Sequence, residues 1–264
     1  MSDIENLAGD TRPIGVFDSG LGGLTVARAI ATALPHESVY YFGDTKRCPY
    51  GTRTEDEVRS FALQAGRWLS KHDVKIMVIA CNTATSVAAA ELRATYQLPI
   101  IGMEPALKPA HELRRGGAIL VLATPMTLRL EKFRLLMARY GEGAVPLPCP
   151  GLMELVEQEA FDQARQYLTE LFAPYDLTRV DAVVLGCTHY VFLRPVLQEI
   201  LPENVQVLDG NLGTARQLRR VLEERDLLSQ IPQGCAEFLT SGDPEIILPQ
   251  MNRLFALAKD LVMS

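Results

Sequence analysis

Short apolar runs alternate with amphipathic stretches from one end of the chain to the other. The runs Ile14–Asp18, Val39–Phe42, Ile76–Ala80, Ile100–Gly102, Ile119–Ala123, Val183–Gly186 and Val205–Leu208 are dominated by aliphatic and aromatic residues, and turn-forming residues flank them. They are predicted as buried strands. Between them, apolar residues recur every three to four positions. Thr54–His72 opens on a Thr54-x-x-Glu57 capping box, and Ser86–Tyr96 is followed by Pro99, so both are predicted helices. Trp68 shares the apolar face of the Thr54 helix with Phe61 and Leu69 and is expected in the core. Arg216–Arg225 interleaves arginines with Glu223 and Glu224 and reads as a solvated helix face. Strand and helix in alternation predict an α/β protein of mostly parallel sheets flanked by helices. On such sheets ligands sit beyond the carboxyl ends of the strands. Val205–Asp209 reads as strand and turn, after which the chain is expected to return to the first sheet. That gives a discontinuous first domain, 1–101 plus 207–264, and a second domain, 102–206.

The predicted strand ends carry the unusual residues. The first delivers Asp18-Ser19-Gly20-Leu21-Gly22-Gly23, the second leads to Pro49-Tyr50-Gly51, and a later one ends in Ala123-Thr124-Pro125-Met126-Thr127. Two others look like copies of one design: Met77-Val78-Ile79-Ala80-Cys81-Asn82-Thr83 and Val183-Val184-Leu185-Gly186-Cys187-Thr188-His189. The Asp18–Gly23 turn departs from the dinucleotide fingerprint because Thr25 stands where the third glycine belongs, and it lacks the Gly-Lys-Ser/Thr of a phosphate loop. Two readings stand for it: a tight turn with Asp18 as a helix cap, or a backbone cradle for a small carboxylate or ammonium group. A cysteine after an apolar strand is commonly a small buried hydrophobe. Two in matching contexts point instead to thiols at strand-to-helix turns, where a helix N-terminus lowers the thiol pKa from about 8.5. Such thiolates serve as bases, nucleophiles or metal ligands. A metal would use Cys187-x-His189 with Cys81; a hydrolytic nucleophile would use His189 as base. A residue two positions beyond a strand-end cysteine need not face it, however, and only paired acid/base catalysis gives both thiols a task.

Bulk properties narrow the class. The chain has 264 residues, 48% hydrophobic and 22% charged, which is ordinary for a globular protein. A net charge of -6 and a pI near 5.3 remove the basic footprint of a nucleic-acid binder. Met1–Arg12 is acidic and polar, unlike a signal peptide, and no apolar run approaches the roughly 18 to 20 residues that span a bilayer. No membrane association is expected, and the expected location is the cytoplasm. Five cysteines, at 48, 81, 149, 187 and 235, are odd in number and contain no Cys-x-x-Cys pair, so thiols rather than disulfides are expected. Cys48, Cys149 and Cys235 lack the paired context and are assigned to loops or packing; His36 and His72 follow helical stretches and are expected on the surface.

Taken in order, Phe17-Asp18-Ser19-Gly20-Leu21-Gly22-Gly23-Leu24, Cys48-Pro49-Tyr50-Gly51, Ala80-Cys81-Asn82-Thr83-Ala84-Thr85, Glu104-Pro105-Ala106, Leu122-Ala123-Thr124 and Leu185-Gly186-Cys187-Thr188-His189-Tyr190 closely resemble the bacterial glutamate racemases, of the cofactor-independent aspartate/glutamate racemase superfamily. The resemblance runs from about residue 14 to about residue 225. It implies two similar α/β domains with the active site at their interface. The implied activity is interconversion of L- and D-glutamate for peptidoglycan, without pyridoxal phosphate or metal. By position Cys81 and Cys187 match the catalytic cysteines, Cys81 acting on D-glutamate and Cys187 on L-glutamate. Asp18 matches the acid that assists the first thiol and His189 the histidine that assists the second; Glu157 matches an assisting carboxylate. Ser19, Tyr50, Gly51, Asn82, Thr83, Thr188 and His189, with Asp18, match substrate-binding positions. Only a short segment precedes Pro13, so activation by a cell-wall precursor, linked in some relatives to a longer extension, is not expected. A homodimer is compatible with these features. The alternatives are an aspartate racemase or related isomerase of the superfamily, and a non-catalytic amino-acid sensor.

Overall fold

A computed structural model describes residues 9–262 of the chain. Most of the acidic stretch Met1–Arg12, and with it most of the segment before Pro13, lies outside the described residues. The chain divides into two compact units: the residues through Met103 together with those from Asn211 onward, and Glu104–Gly210.

The first unit begins with β1 (Ile14–Asp18), α1 (Leu24–Ala33), β2 (Val39–Gly43), α2 (Glu55–Lys71), β3 (Ile76–Ile79), α3 (Asn82–Thr95) and β4 (Ile100–Gly102). The second unit contains α4 (Leu107–Leu113), β5 (Ala118–Ala123), α5 (Pro125–Arg129), α6 (Glu131–Tyr140), β6 (Ala144–Pro148), α7 (Leu152–Glu157), α8 (Phe161–Phe172), β7 (Val180–Leu185), α9 (Arg194–Ile200) and β8 (Gln206–Leu208). The first unit is completed by α10 (Asn211–Glu224), β9 (Ala236–Thr240) and α11 (Pro244–Leu261).

Both sheets are parallel throughout. The first runs β4-β3-β1-β2-β9 and the second β6-β5-β7-β8. Read from the other edge, the second sheet is β8-β7-β5-β6, the same winding as β4-β3-β1-β2. In the first sheet Phe17 is level with both Phe42 and Ile79, which brings the carboxyl ends of β1, β2 and β3 side by side. Every residue of β1 is buried, as expected for a parallel strand covered on both faces. In the second unit Ile119 and Val121 of β5 pack with Ala182 and Val184 of β7 beneath Leu107, Ala110 and Phe133, the side of the sheet covered by α4 and α6.

The local signals act as expected for α2. The Thr54 hydroxyl accepts from the Glu57 N–H at 3.2 Å, and the Glu57 carboxylate accepts from the Thr54 N–H at 2.9 Å, satisfying two otherwise orphaned donors. The arginines of the 216–225 segment lie on the surface, as do His36 and His72. Trp68 departs from expectation. It is only half-buried, sandwiched between Phe42 at 4.9 Å and the exposed His72 ring at 3.7 Å, and forms a lid on the sheet rather than its core. At the opposite, amino-terminal end of the first sheet lies a buried ion pair, Lys75 Nζ to Glu37 Oε2 at 2.6 Å. Lys75 also donates to the Asp10 and Leu227 carbonyls, and Glu37 accepts from the Ser229 N–H, so one buried charge pair ties four separate stretches of chain together. No disulfide joins the five cysteines. Among the described residues no helix is long and apolar enough to cross a membrane.

Candidate functional site

Three neighbouring strands of the first unit end in the polar residues singled out in the sequence. Asp18, at the end of β1, is wholly buried, and its Oδ2 accepts from the N–H groups of Gly20 and Gly23, each at 3.1 Å. The glycine-rich turn therefore directs two of its amides at a carboxylate of its own chain. Gly23 is required there: a Cβ would stand 2.6 Å from Asp18 Cβ and 3.0 Å from Ala80 Cβ. Ser19 follows, also buried.

Beyond β3, Cys81 occupies the N-cap of α3 in extended conformation, and its sulfur accepts from the Ala84 N–H at 3.4 Å. The sulfur thus faces the positive end of a 14-residue helix. Asn82 and Thr83 form the first turn of that helix and are buried. Helix α3 accordingly starts four residues before the predicted Ser86, because the thiol itself supplies the cap. Beyond β2 the chain passes through Asp44 to a short 3-10 turn, Tyr50–Thr52, which carries Tyr50 and Gly51. The Tyr50 hydroxyl donates to Asp44 Oδ2 at 2.6 Å. Burial, together with the Asp44 carboxylate and its hydrogen bond, pushes the Tyr50 phenol far above its ordinary range and keeps it a neutral donor.

The second unit builds a different thiol environment. Gly186 follows β7 directly, where a Cβ would be 2.9 Å from both Ala123 Cβ and the Leu122 carbonyl oxygen, and Cys187 leads from it into a 3-10 helix, Thr188–Leu193. That tight turn swings His189 back so that Nδ1 lies 3.7 Å from Cys187 Sγ. Nothing in strand periodicity turns a residue two positions on toward the cysteine; the 3-10 geometry does. On its other side His189 Nε2 lies 2.9 Å from Glu157 Oε1, at the end of α7. Burial alone would lower the His189 pKa, but the hydrogen bonds to Cys187 and Glu157, and their charges, outweigh it and raise the imidazole well above its usual value. Cys187, His189 and Glu157 form a continuous line, with Thr188 buried beside them.

The structure therefore groups Asp18, Ser19, Tyr50, Gly51, Cys81, Asn82 and Thr83 at the strand ends of one unit, and Glu157, Cys187, Thr188 and His189 in the other. Cys149 packs as expected. Its thiol donates to the Leu147 carbonyl at 3.3 Å, and burial, with the nearby Cys187, pushes its pKa up to about 12, so it stays protonated. Sequence reasoning passed over Asp44 and Ser241, whose side chains meet at 2.6 Å. Asp44 had a usable signal, an acid at the end of a buried strand like Asp18; Ser241 had none.

Comparison with known proteins gives this arrangement a context. A curated glutamate racemase from Clostridium perfringens is 48% identical over 251 residues, covering 93% of this chain and 96% of its own. Among solved structures, a glutamate racemase isoform from Bacillus anthracis matches with a TM-score of 0.83 at 32% identity, covering 93% of this chain and 94% of its own. The Escherichia coli glutamate racemase, solved with L-glutamate and the activator UDP-MurNAc-ala, matches with a TM-score of 0.78 at 29% identity, covering 92% of this chain and 95% of its own. The family model for Asp/Glu/hydantoin racemases spans residues 14–218, from the first residue of β1 into α10 and so across both thiol-bearing turns; the chain belongs to the Asp/Glu/hydantoin racemase family.

Proposed function

We infer that the protein interconverts L- and D-glutamate by moving the α-proton between two thiols, Cys81 and Cys187, without a cofactor. The observation that carries this reading is the pair of cysteines at the ends of β3 and β7, strands that hold corresponding places in two sheets of the same winding. Relatives 44% to 48% identical over most of the chain are glutamate racemases, which supports glutamate as the substrate.

Inversion of a stereocentre by proton transfer needs a base on one face of the carbon and an acid on the other. Starting from D-glutamate, the Cys81 thiolate takes the α-proton, and the Cys187 thiol gives its proton to the opposite face. The products are L-glutamate, a Cys81 thiol and a Cys187 thiolate; the reverse reaction exchanges the roles. His189, held by Glu157, stands beside the sulfur that gains negative charge in this direction, and a protonated imidazole there stabilises it. Asp18 assists the first thiol. The α-proton next to a carboxylate is weakly acidic, so the carbanion must be met by fixed donors in a site from which water is excluded. Asn82, Thr83 and Thr188 supply such donors, and Ser19, Tyr50 and Gly51 bind the amino acid. The five thiols suit a reducing cytoplasm, where the D-glutamate formed serves peptidoglycan synthesis.

The test is turnover of L-glutamate by purified protein in deuterated water, read at low conversion by mass spectrometry of the separated enantiomers. Cys187 removes protium from one face and Cys81, exchanged with solvent, delivers deuterium to the other. D-Glutamate should therefore carry α-deuterium from the start while the remaining L-glutamate carries almost none. Early label in the L-pool at a comparable rate means a single base serves both faces and defeats the two-thiol reading. Cys81→Ser and Cys187→Ser should each abolish nearly all racemisation.

A further inference from the structure

Asp44 follows β2 immediately and is completely buried, yet neither the thiol chemistry nor the substrate-binding positions account for it. Its carboxylate gathers three side-chain donors. Tyr50 Oη and Ser241 Oγ each lie at 2.6 Å, on Oδ2 and Oδ1 respectively, and Arg47 Nε lies 2.9 Å from Oδ2. Its own N–H donates to the Asp18 carbonyl at 3.0 Å. Asp44 is therefore the point at which the Asp18 turn, the Tyr50–Gly51 turn and the loop after β9 meet. A buried carboxylate is costly to desolvate unless its oxygens are fully engaged, so the loop that carries Arg47 and Tyr50 and the loop after β9 are held to it jointly.

The Tyr50–Gly51 turn is short, and Tyr50 is buried within it. It is a single 3-10 turn whose own closure is the Arg53 N–H to Tyr50 carbonyl bond at 3.1 Å, and the Tyr50 ring leans on Phe61 at 5.6 Å without a stacked geometry. The phenol–carboxylate bond, at 2.6 Å, is shorter than that closure and than the bond from Thr52 Oγ1 to the Pro49 carbonyl at 3.3 Å. We propose that Asp44 is a positioning residue for glutamate binding: through the Tyr50 hydroxyl it sets the turn that presents Tyr50 and Gly51 to the amino acid, in register with the Asp18 turn. This rests on the glutamate racemase reading. A hydrogen bond to a charged group is stronger than a neutral one, and its loss here falls on a turn that only binds.

Two variants test it. Tyr50→Phe keeps the ring and deletes the strut; Asp44→Asn keeps the shape but removes the charge and leaves one acceptor oxygen where Tyr50 Oη and Ser241 Oγ each had their own. Tyr50→Phe should raise KM for glutamate about tenfold or more, and Asp44→Asn should raise it by no more than that, both with kcat little changed, the pattern of lost binding rather than lost chemistry. Combining them should raise KM no further than Tyr50→Phe alone, because both act on one link. If wild-type protein racemises glutamate while Tyr50→Phe retains the wild-type KM, or the two effects multiply, the positioning role is overturned and the functional reading stands. An Asp44 that merely braces the fold gives that result, with thermal stability falling in Asp44→Asn alone. If Asp44→Asn does not fold, the KM of Tyr50→Phe decides. Wild-type protein that leaves glutamate unchanged overturns the functional reading and the proposal with it.

Discussion

Replacing Glu157 by glutamine tests the line from Glu157 through His189 to Cys187 with a change of two atoms' chemistry and almost none of shape. In the native protein Glu157 Oε1 lies 2.9 Å from His189 Nε2, and the Glu157 side chain is 24% exposed, so the carboxylate is only partly screened by water. Glutamine can still accept from Nε2–H through its carbonyl oxygen; what it loses is the charge. A charge-assisted hydrogen bond contributes about 1.5 to 3 kcal/mol and a neutral one about 0.5 to 1.5, so the difference is on the order of 1 kcal/mol. The His189 pKa should therefore fall back toward its usual value. If the imidazolium stabilises the Cys187 thiolate, the same loss should slow turnover by up to about tenfold. Thermodynamics adds a constraint: the products are mirror images, the equilibrium constant is unity, and kcat/KM must fall equally in both directions. Any asymmetry can appear only as kcat and KM changing together in one direction. The assay is circular dichroism from each enantiomer, with nitrogen-15 NMR of His189 across pH. An imidazole titration that does not move in Glu157→Gln, with kcat/KM unchanged, would refute the argument that the carboxylate holds the histidine protonated.

The raised His189 pKa also has a stability consequence. Protonation is favoured in the folded state, so the contribution is fully present below the unfolded pKa of about 6.5 and is lost as pH rises through the higher folded value. Thermal unfolding should therefore show a decline on the alkaline side of neutrality that shrinks in Glu157→Gln; parallel curves for the two proteins would count against it. Far from the site, Lys75→Met leaves Glu37 buried without its countercharge and should cost about 3 to 5 kcal/mol in denaturant unfolding. A cost below about 1 kcal/mol would show that the pair is not an isolated low-dielectric contact.

The strands at the centre of each sheet were legible because burial on both faces demands continuous apolar runs, as in Ile14–Phe17 and Val183–Leu185. The strands that escaped prediction lie at sheet edges. β6 reads Ala-Val-Pro-Leu-Pro; two prolines remove ladder donors and argue against a central strand, but at the edge beside β5 they are tolerated. β9, Ala-Glu-Phe-Leu-Thr, has no fully buried residue and so no apolar run to announce it. The candidate site was legible wherever a residue type carried its own chemistry, as with the cysteines, Asp18 and His189. It was not legible where a role arises from a contact distant in sequence. Ser241 meets Asp44 across 197 positions, and only the pairing of β9 with β2 brings them together. Trp68 was misread because an apolar helix face identifies which side packs without revealing how deep each position lies.

The bond from the Ala84 amide to the Cys81 sulfur makes the start of α3 a reporter on the thiol. Alkylation, oxidation or protonation of that sulfur alters the acceptor that caps the helix, so each state of the residue should leave its own imprint on a single backbone resonance. An electrophile that reaches Cys81 would then be seen twice: once as added mass, and once as faster exchange of the Ala84 proton with solvent. The nitrogen-15 shift of that amide would follow the sulfur through its ionisation in intact protein, with no label attached and no substrate present.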